Sequence, residues 1–254
     1  MVFSGDDALA FVRLAAHPLR WRLLAELADS DYRVRELVDL IGQPQNLISY
    51  HLRLLRGSGL VSARRSSFDA RDTYYHLDLE RCAQALAAAG GALHPALRLD
   101  PARPPAAEGR PDRPRVLFAC TGNSARSPIA EALLRHRMGG QVEVASAGYH
   151  PKSRIHPIAV GILRERYGID IADQRPRHLD TMTGRLFDYV ITLCDKVREV
   201  CPEFDDQPQL IHWSIPDPAA IGADQASDRA FSRAAAEIDT RIRYLLPVLT
   251  EVQP

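Results

Sequence analysis

The proline-rich segment at residues 99–115 constrains the fold of this chain more than any other feature of the sequence. It reads LDPARPPAAEGRPDRPR and holds five prolines but almost no large apolar side chains. Because proline fixes φ and lacks a backbone N–H, such a stretch favours extended polyproline II structure over a helix or a paired strand. We therefore expect residues 1–98 and 115–254 to fold as separate domains, joined by a linker at 99–114.

Composition excludes several classes of protein. The length of 254 residues suits one large domain or two small ones, and 46% apolar residues suffice for buried cores. Four cysteines are too few for a disulfide-stapled secreted scaffold, and no signal-peptide pattern follows Met1. No uncharged apolar run approaches the roughly 20 residues of a membrane-spanning helix. We predict a cytoplasmic protein with reduced cysteines and no membrane contact.

The first domain shows a helix-turn-helix pattern. Apolar residues at helical spacing predict short helices at 8–16, 19–28, 33–41 and about 44–56. Gly42 stands between the last two, as in a helix-turn-helix motif, and the alternating stretch at 59–77 predicts a β-hairpin wing. The alanine-rich run that follows predicts a helix ending at Gly90 and Gly91. These elements together indicate an α+β winged helix-turn-helix domain.

Local charge indicates DNA binding by this domain. Residues 40–68 contain four arginines and His51 but no acidic residue, although the whole chain balances 32 basic against 32 acidic side chains. Polar side chains early in the second helix can reach base edges in the major groove, and arginines suit phosphates. A solvated helix face is the alternative, but helix, turn, helix and wing arriving in order favour DNA. The predicted DNA-binding residues are Gln45, Asn46, Ser49, Tyr50, Arg53, Arg56, Arg64 and Arg65.

Residues 7–95 resemble winged-helix repressors of the ArsR/SmtB type. The resemblance lies in HPLRWRLLAEL, in GQPQNLISYHLRLLRGSGLV and in the wing ending YYHL. It implies a homodimer, formed by the outer helices at about 8–16 and 79–90, on a palindromic double-stranded DNA operator. The cysteine pair of the arsenic sensors has no counterpart in RELVDLIG. Cys82, isolated beside Leu and Ala, is more typical of a small buried side chain.

The second domain alternates strands and helices. Apolar β-rich runs at 116–120, 142–146, 189–194 and 210–215 are interspersed with helical stretches at 127–138, 156–167 and 227–247. That order predicts an α/β domain with a parallel sheet and helices on both faces.

The first of these strands leads directly into the sequence CTGNSARS, residues 120–127, and then into a helix. Loop N–H groups and the helix dipole would converge on one place, where Arg126 can bind two oxygens of an anion. The same field favours the thiolate of Cys120, and the Ser127 hydroxyl can hydrogen-bond it. The predicted oxyanion-binding residues are Thr121, Gly122, Asn123, Ser124, Ala125, Arg126 and Ser127. Asp217, after the last strand, is the candidate proton donor.

This domain resembles the low-molecular-weight protein tyrosine phosphatase superfamily, through the Cys-x5-Arg-Ser loop and Asp217-Pro218. Cys194 and Cys201 in LCDKVREVCP, with HWSIPDPA, point to its thioredoxin-coupled arsenate reductases. That resemblance implies that Cys120 attacks arsenate while Asp217 protonates the leaving oxygen. Cys194 would then attack Cys120, and Cys201 would attack Cys194. It further implies no tightly bound cofactor and an external thiol reductant of the thioredoxin or mycothiol/mycoredoxin type.

Two structural expectations accompany this resemblance. Seven helical residues would separate the Cα atoms of Cys194 and Cys201 by about 10 Å, whereas a disulfide needs roughly 4.4 to 6.8 Å. If the segment is helical when reduced, it must unwind on oxidation. Some such reductases bind potassium, and Asn123, Glu131 and Ser146 stand at matching places. The fourth ligand falls near arginines 175–177, so we expect no metal and an arginine in its place.

Three functions therefore remain open. The first is an arsenate reductase fused to an ArsR-type transcriptional regulator. The second is a transcription factor whose second domain only senses an oxyanion or redox state, without catalysis. The third is a protein tyrosine phosphatase with a DNA-binding domain. Substitution of Cys194 or Cys201 distinguishes the first from the others, because only the reductase needs both thiols for turnover.

Overall fold

The computed structural model describes residues 5–94, 97, 113–201, 204, 207–220 and 225–250. The chain divides into two compact units, Met1–Pro105 and Ala106–Pro254. Most of the expected linker, residues 99–112, lies outside the described residues. Among the helices that the structure describes, none is long and apolar enough to cross a membrane.

The first unit is a set of helices with a small antiparallel sheet in the order β1-β3-β2. Its elements are α1 (Gly5–Ala15), α2 (Pro18–Asp29), β1 (Tyr32–Arg33), α3 (Val34–Ile41), α4 (Gln45–Gly57), β2 (Val61–Arg65), β3 (Thr73–Leu77) and α5 (Leu79–Leu93). Strands β2 and β3 form the expected hairpin, paired from Val61 with Leu77 to Arg65 with Thr73. The winged helix-turn-helix prediction is confirmed.

Local interactions fix the two helices of the motif. Helix α3 begins where the Arg33 backbone N–H donates to the Glu36 carboxylate at 2.7 Å, and it ends at Gly42. Gly42 has a φ of 71°, a left-handed conformation that glycine adopts without strain. Helix α4 follows at once and buries Ile48, Leu52 and Leu55 in the core of the unit.

The predicted end of α5 at Gly90 and Gly91 is wrong, because the helix continues to Leu93. The backbone of Leu97 folds back against the helix at Gly90, and a Cβ there would clash with the Leu97 carbonyl oxygen. Gly90 therefore gives room for a close backbone approach inside the helix and does not terminate it.

The second unit contains a parallel sheet in the order β5-β4-β6-β7. Its elements are β4 (Arg115–Cys120), α6 (Arg126–Met138), β5 (Glu143–Gly148), α7 (Pro157–Tyr167), β6 (Tyr189–Thr192), α8 (Asp195–Val200), β7 (Gln209–His212) and α9 (Gln225–Thr250). The central strand β4 is an apolar run that is buried from Val116 to Cys120, which explains its place inside the sheet. The predicted α/β class is confirmed.

The strand order creates a crevice at the carboxyl ends of β4 and β6. The chain leaves β4 toward one edge of the sheet and leaves β6 toward the other, and ligands bind at such a switch point. These two strands are neighbours, with Ala119 paired to Thr192. The segments after Cys120 and after Thr192 are therefore brought together.

The last two strands end earlier than predicted, at Thr192 and at His212. Cys194 leaves the sheet because it caps the N-terminus of α8. Ser214 leaves it because its hydroxyl donates to the Asp195 carboxylate at 2.7 Å. Residues expected at strand ends thus belong to loops over the crevice.

Candidate active site

The loop after β4 surrounds the sulfur of Cys120. The Ser127 hydroxyl oxygen lies 3.0 Å from this sulfur, and the Asn123 backbone N–H donates to it at 3.3 Å. Cys120 is buried, and Ser127 lies in the first turn of α6. Both contacts suit a negatively charged sulfur, as does the positive end of the helix dipole.

Backbone bonds orient the peptide groups of this loop. The carbonyls of Thr121 and Gly122 accept N–H groups of His150 and Lys152 at 2.8 and 2.9 Å. In a trans peptide the next N–H points opposite to the carbonyl, so outward carbonyls turn the following N–H groups inward. The Asn123 N–H, which follows the Gly122 carbonyl, does point at the sulfur. The loop therefore presents amides to an oxyanion.

Gly148, at the end of β5, allows the close approach of this loop. A Cβ on Gly148 would lie 2.8 Å from both the Asn123 nitrogen and the Thr121 carbonyl oxygen. Backbone atoms cannot move aside as a flexible side chain can. The sequence analysis did not predict this role for Gly148, because it depends on the pairing of Gly148 with Cys120 across β5 and β4.

Asn123 holds the loop from within. Its φ of 42° is left-handed, and its side-chain amide donates to the hydroxyls of Ser127 and Ser146, both at 2.9 Å. Its amide oxygen accepts the Arg177 backbone N–H at 2.7 Å. Asparagine is among the few residues that tolerate this backbone conformation. The network connects the loop around Cys120 to two other segments of the unit.

Arg126 and Asp217 form an ion pair at the rim of the loop. The Arg126 guanidinium donates to the Asp217 carboxylate at 2.8 Å and to the Ile215 carbonyl at 3.0 Å. The arginine side chain is only 4% exposed, whereas the aspartate side chain is 44% exposed. A buried cation thus lies at the start of α6, with a solvent-accessible carboxylate beside it.

The second thiol of the unit contacts the loop of the first. The sulfur of Cys194 lies 3.3 Å from the Thr121 hydroxyl oxygen, and Cys194 is buried. Burial raises the pKa of the Cys194 thiol, while Arg126, the Thr121 hydroxyl and the Val197 N–H oppose that rise. The sequence did not predict the contact with Thr121, because it depends on how β4 and β6 pair.

Cys201 lies at the other end of α8, where it is half-buried. Burial raises the pKa of its thiol to about 11, and Cys194 adds to the rise. All four cysteines of the chain are free thiols in this structure. Cys194 and Cys201 flank a helix of six residues, so the condition under which the segment must unwind on oxidation is met.

Glu131, one of the residues at a potassium-ligand position, pairs with an arginine. The Arg177 guanidinium lies 2.6 Å from the Glu131 carboxylate, which is also bonded to Arg135 at 2.6 Å. Glu131 is almost completely buried. Within the described residues there is no group of three or more His, Cys, Asp or Glu side chains arranged to hold a metal.

The first unit exposes most of the predicted DNA-binding residues on α4 and β2. Those that are exposed are Gln45, Asn46, Tyr50, Arg53, Arg56 and Arg65, and those that are half-buried are Ser49 and Arg64. Asn46, Ser49, Tyr50 and Arg53 share one face, since they follow helical spacing.

His51 is buried in this unit and Cys82 is half-buried. The expectation that His51 joins the exposed stripe is wrong: it is buried, its ring centroid lies 4.5 Å from that of His17, and burial lowers its pKa. Cys82 packs against the core, and burial raises its pKa to about 12.

Family models match both units. Residues 115–253 match the model described as low molecular weight phosphotyrosine protein phosphatase. The chain belongs to this family. Residues 17–63 match the model described as bacterial regulatory protein, arsR family, which places an arsR-type helix-turn-helix in the first unit. The two predicted resemblances are confirmed.

Relatives carry the name arsenate reductase. One from Halalkalibacterium halodurans is 36% identical over 129 residues, which are 50% of this chain and 91% of that protein. Another, from Shouchella clausii, is 37% identical over 131 residues, with coverages of 50% and 91%. A solved structure titled as a thioredoxin-dependent arsenate reductase from Corynebacterium glutamicum is 29% identical. It covers 90% of this chain and 96% of its own, with a TM-score of 0.43.

Proposed function

We propose that this chain is an arsenate reductase joined to an arsR-type DNA-binding domain. The observation that carries the proposal is the contact between Cys194 and Thr121, because it brings a second thiol to the loop that holds Cys120. A phosphatase needs one thiol in such a loop, whereas reduction of an oxyanion needs two. The name arsenate reductase, borne by relatives that match the second unit, supports the same substrate.

The reaction begins with an oxyanion bound by the loop amides and Arg126. The thiolate of Cys120 attacks arsenic(V), an As–S bond forms, and one oxygen leaves as water after protonation by Asp217. Cys194 then attacks the sulfur of Cys120. The S–As bond breaks with its electron pair moving to arsenic, so arsenite leaves as As(III). Two thiols have lost two electrons, and Cys120 and Cys194 are joined by a disulfide.

The ion pair of Arg126 with Asp217 controls the proton donor. An oxyanion in the loop competes with the carboxylate for the guanidinium and adds negative charge beside it. Release from the guanidinium leaves the Asp217 carboxyl group available to donate a proton to the leaving oxygen. Substrate binding thus prepares the acid.

The thiols of α8 complete the cycle. Cys201 attacks Cys194, which releases the Cys120 thiolate and leaves a disulfide between Cys194 and Cys201. An external thiol reductant of the thioredoxin or mycothiol/mycoredoxin type then reduces this disulfide in the cytoplasm. The Arg177 guanidinium neutralises Glu131 beside the loop, so the reaction needs no cation at that carboxylate.

The first unit would bind an operator as a homodimer. Helices α1 and α5, the elements expected at the dimer interface, expose large apolar side chains, namely Leu9, Val12, Leu86 and Leu93. Burial of such side chains between two copies is favourable, and it would place two α4 helices on a palindromic site. Arg53, Arg56 and Arg65 are the exposed cations that suit the phosphates.

Two assays test these proposals. The wild-type protein should release arsenite over many turnovers when a thioredoxin or a mycothiol system is supplied, and Cys120→Ser should abolish it. Hydrolysis of aryl phosphates without any arsenite would instead establish a phosphatase, and phosphate binding without either activity would establish a sensor. For the first unit, a gel shift of the full chain with its own upstream DNA should show log affinity falling linearly with log salt.

A further inference from the structure

A buried polar network lies behind α8, outside the site already described. The Asp195 carboxylate accepts a hydrogen bond from the Ser214 hydroxyl at 2.7 Å, and the same oxygen lies 3.2 Å from His212 Nε2. The other ring nitrogen of His212 lies 2.8 Å from the Thr192 hydroxyl oxygen. All four side chains are buried, with His212 and Asp195 at 2% and 3% exposure.

The Asp195 carboxylate is the acceptor in both of its hydrogen bonds within this network. An ionised carboxylate only accepts, so His212 Nε2 and the Ser214 hydroxyl both donate to Asp195. A buried carboxylate is costly unless such donors compensate it, and removing one donor leaves that cost uncovered. The network therefore restrains the backbone segments to which its four side chains belong.

Those segments are the ones that matter for the second thiol. Asp195 directly follows Cys194 and is the first residue of α8. His212 is paired with Thr192 across β6 and β7, so this partner of Asp195 belongs to the sheet, and Ser214 follows two residues later. The place of the Asp195 carboxylate thereby determines where the neighbouring Cys194 lies.

We propose that Asp195 is a positioning residue that holds Cys194 against the Cys120 loop through His212 and Ser214. The role rests on the proposed function, since only a thiol relay needs Cys194 within reach of Cys120. Asp195 touches neither sulfur in this scheme. It fixes the start of α8, so that the Cys194 sulfur stays 3.3 Å from the Thr121 hydroxyl. Without this anchor, the second thiol would spend less time in an attacking position.

The test forms the Cys120 to Cys194 disulfide without arsenate. In a Cys201→Ser background, diamide oxidises the thiols of Cys120 and Cys194. The thiols lose two electrons and two protons, and diamide takes them up to become the hydrazine. Peptide mass spectrometry measures the rate at which the disulfide forms. Asp195→Asn should slow this disulfide by about tenfold to a hundredfold, because a displaced group reacts more slowly. Asp173→Asn is the control, because it makes the same change from carboxylate to carboxamide at an exposed position of the same unit; it should leave the rate unchanged.

A second readout separates positioning from general damage. Phosphate should protect Cys120 from iodoacetamide when the loop is intact, and Asp195→Asn should keep that protection constant within about twofold. His212→Gln, which retains an N–H donor, should slow the disulfide less than His212→Ala. If Asp195→Asn fails to fold, the two His212 variants carry the test.

Two outcomes would overturn the inference. One is wild-type disulfide formation in folded Asp195→Asn, and the other is an equal loss of disulfide formation and phosphate protection. Since diamide replaces arsenate, the result is independent of the proposed reaction. A protein that forms the disulfide as expected but never releases arsenite would contradict the proposed function and leave the positioning role in place.

Discussion

The hydroxyl oxygen of Thr121 lies 3.3 Å from the sulfur of Cys194, so the loop that holds the first thiol also touches the second. Neighbouring parallel strands produce this contact, because β4 ends at Cys120 and β6 ends two residues before Cys194. The hydrogen bond also works against the burial that raises the pKa of Cys194. One threonine therefore positions the second nucleophile and favours its reactive form.

Thr121→Val should slow the transfer from Cys120 to Cys194. A hydrogen bond of this kind contributes about 1 kcal/mol, which corresponds to roughly a fivefold to tenfold slower step. Rapid quench after one equivalent of arsenate, with arsenite as the product measured, gives that rate. Thr183→Val, an exposed change in the same unit, is the control. An unchanged rate in Thr121→Val would show that the contact has no part in the relay.

Gly148→Ala should disrupt the loop around Cys120. The added methyl group meets the Asn123 nitrogen and the Thr121 carbonyl oxygen at 2.8 Å, so we expect a loss of about 1–3 kcal/mol in the free energy of unfolding. Arsenate turnover should fall more than stability, since the loop itself must shift. Urea denaturation and steady-state kinetics measure the two effects.

Gly161→Ala is the matched control for this substitution. Gly161 lies in α7, and a Cβ there meets no other atom within 4 Å. Alanine in a helix should stabilise the protein by about 0.5–1 kcal/mol. Equal behaviour of the two alanine variants would contradict the assigned role of Gly148.

Arg177→Gln should lower the free energy of unfolding, because the buried carboxylate of Glu131 loses one of its two arginine partners. The carboxylate would keep Arg135 as a partner, so we expect a loss of about 1–3 kcal/mol, below the cost of an unpaired buried charge. Wild-type turnover should be the same in potassium and sodium chloride at equal ionic strength, because Arg177 supplies the positive charge.

The control for Arg177 is Arg164→Gln, whose partner Asp170 is on the surface. This variant should unfold at the wild-type temperature, since exposed ion pairs contribute little. A wild-type protein that is activated by potassium, or an Arg177→Gln variant as stable as Arg164→Gln, would contradict the account.

Much of this architecture follows from patterns local in sequence. The spacing of Leu52 and Leu55 on α4 reflects helical periodicity, and the step from a buried strand into CTGNSARS reflects a loop before a helix N-terminus. Both read correctly because neighbouring residues alone determine them.

Features that depend on contacts beyond neighbouring residues could not be predicted from local sequence patterns. His51 lies among arginines in sequence but is buried against His17, and α5 continues past Gly90, where the missing side chain leaves room for the backbone of Leu97. The contact of Thr121 with Cys194 likewise joins residues far apart in sequence. In each case a tertiary contact overrides the local preference.

Oxidation should unwind α8. The helix holds Cys194 and Cys201 at its two caps, about 10 Å apart by helical geometry, which is too far for a disulfide. Trypsin should therefore cleave after Lys196 and Arg198 faster in the oxidised protein than in the reduced one, as followed by mass spectrometry. The adjacent Val197 is fully buried when reduced, so cleavage there reports the opening. Identical cleavage rates in both forms would show that the segment does not open.

In the proposed reaction, three cysteines pass two electrons to arsenate in a fixed order. Its most direct test is disulfide mapping after one equivalent of arsenate is added to the reduced protein without any external reductant. We expect one arsenite per chain, a disulfide of Cys194 with Cys201 in the wild type, and a disulfide of Cys120 with Cys194 in Cys201→Ser. Arsenite released while these thiols remain reduced, or a disulfide that involves Cys82, would contradict it.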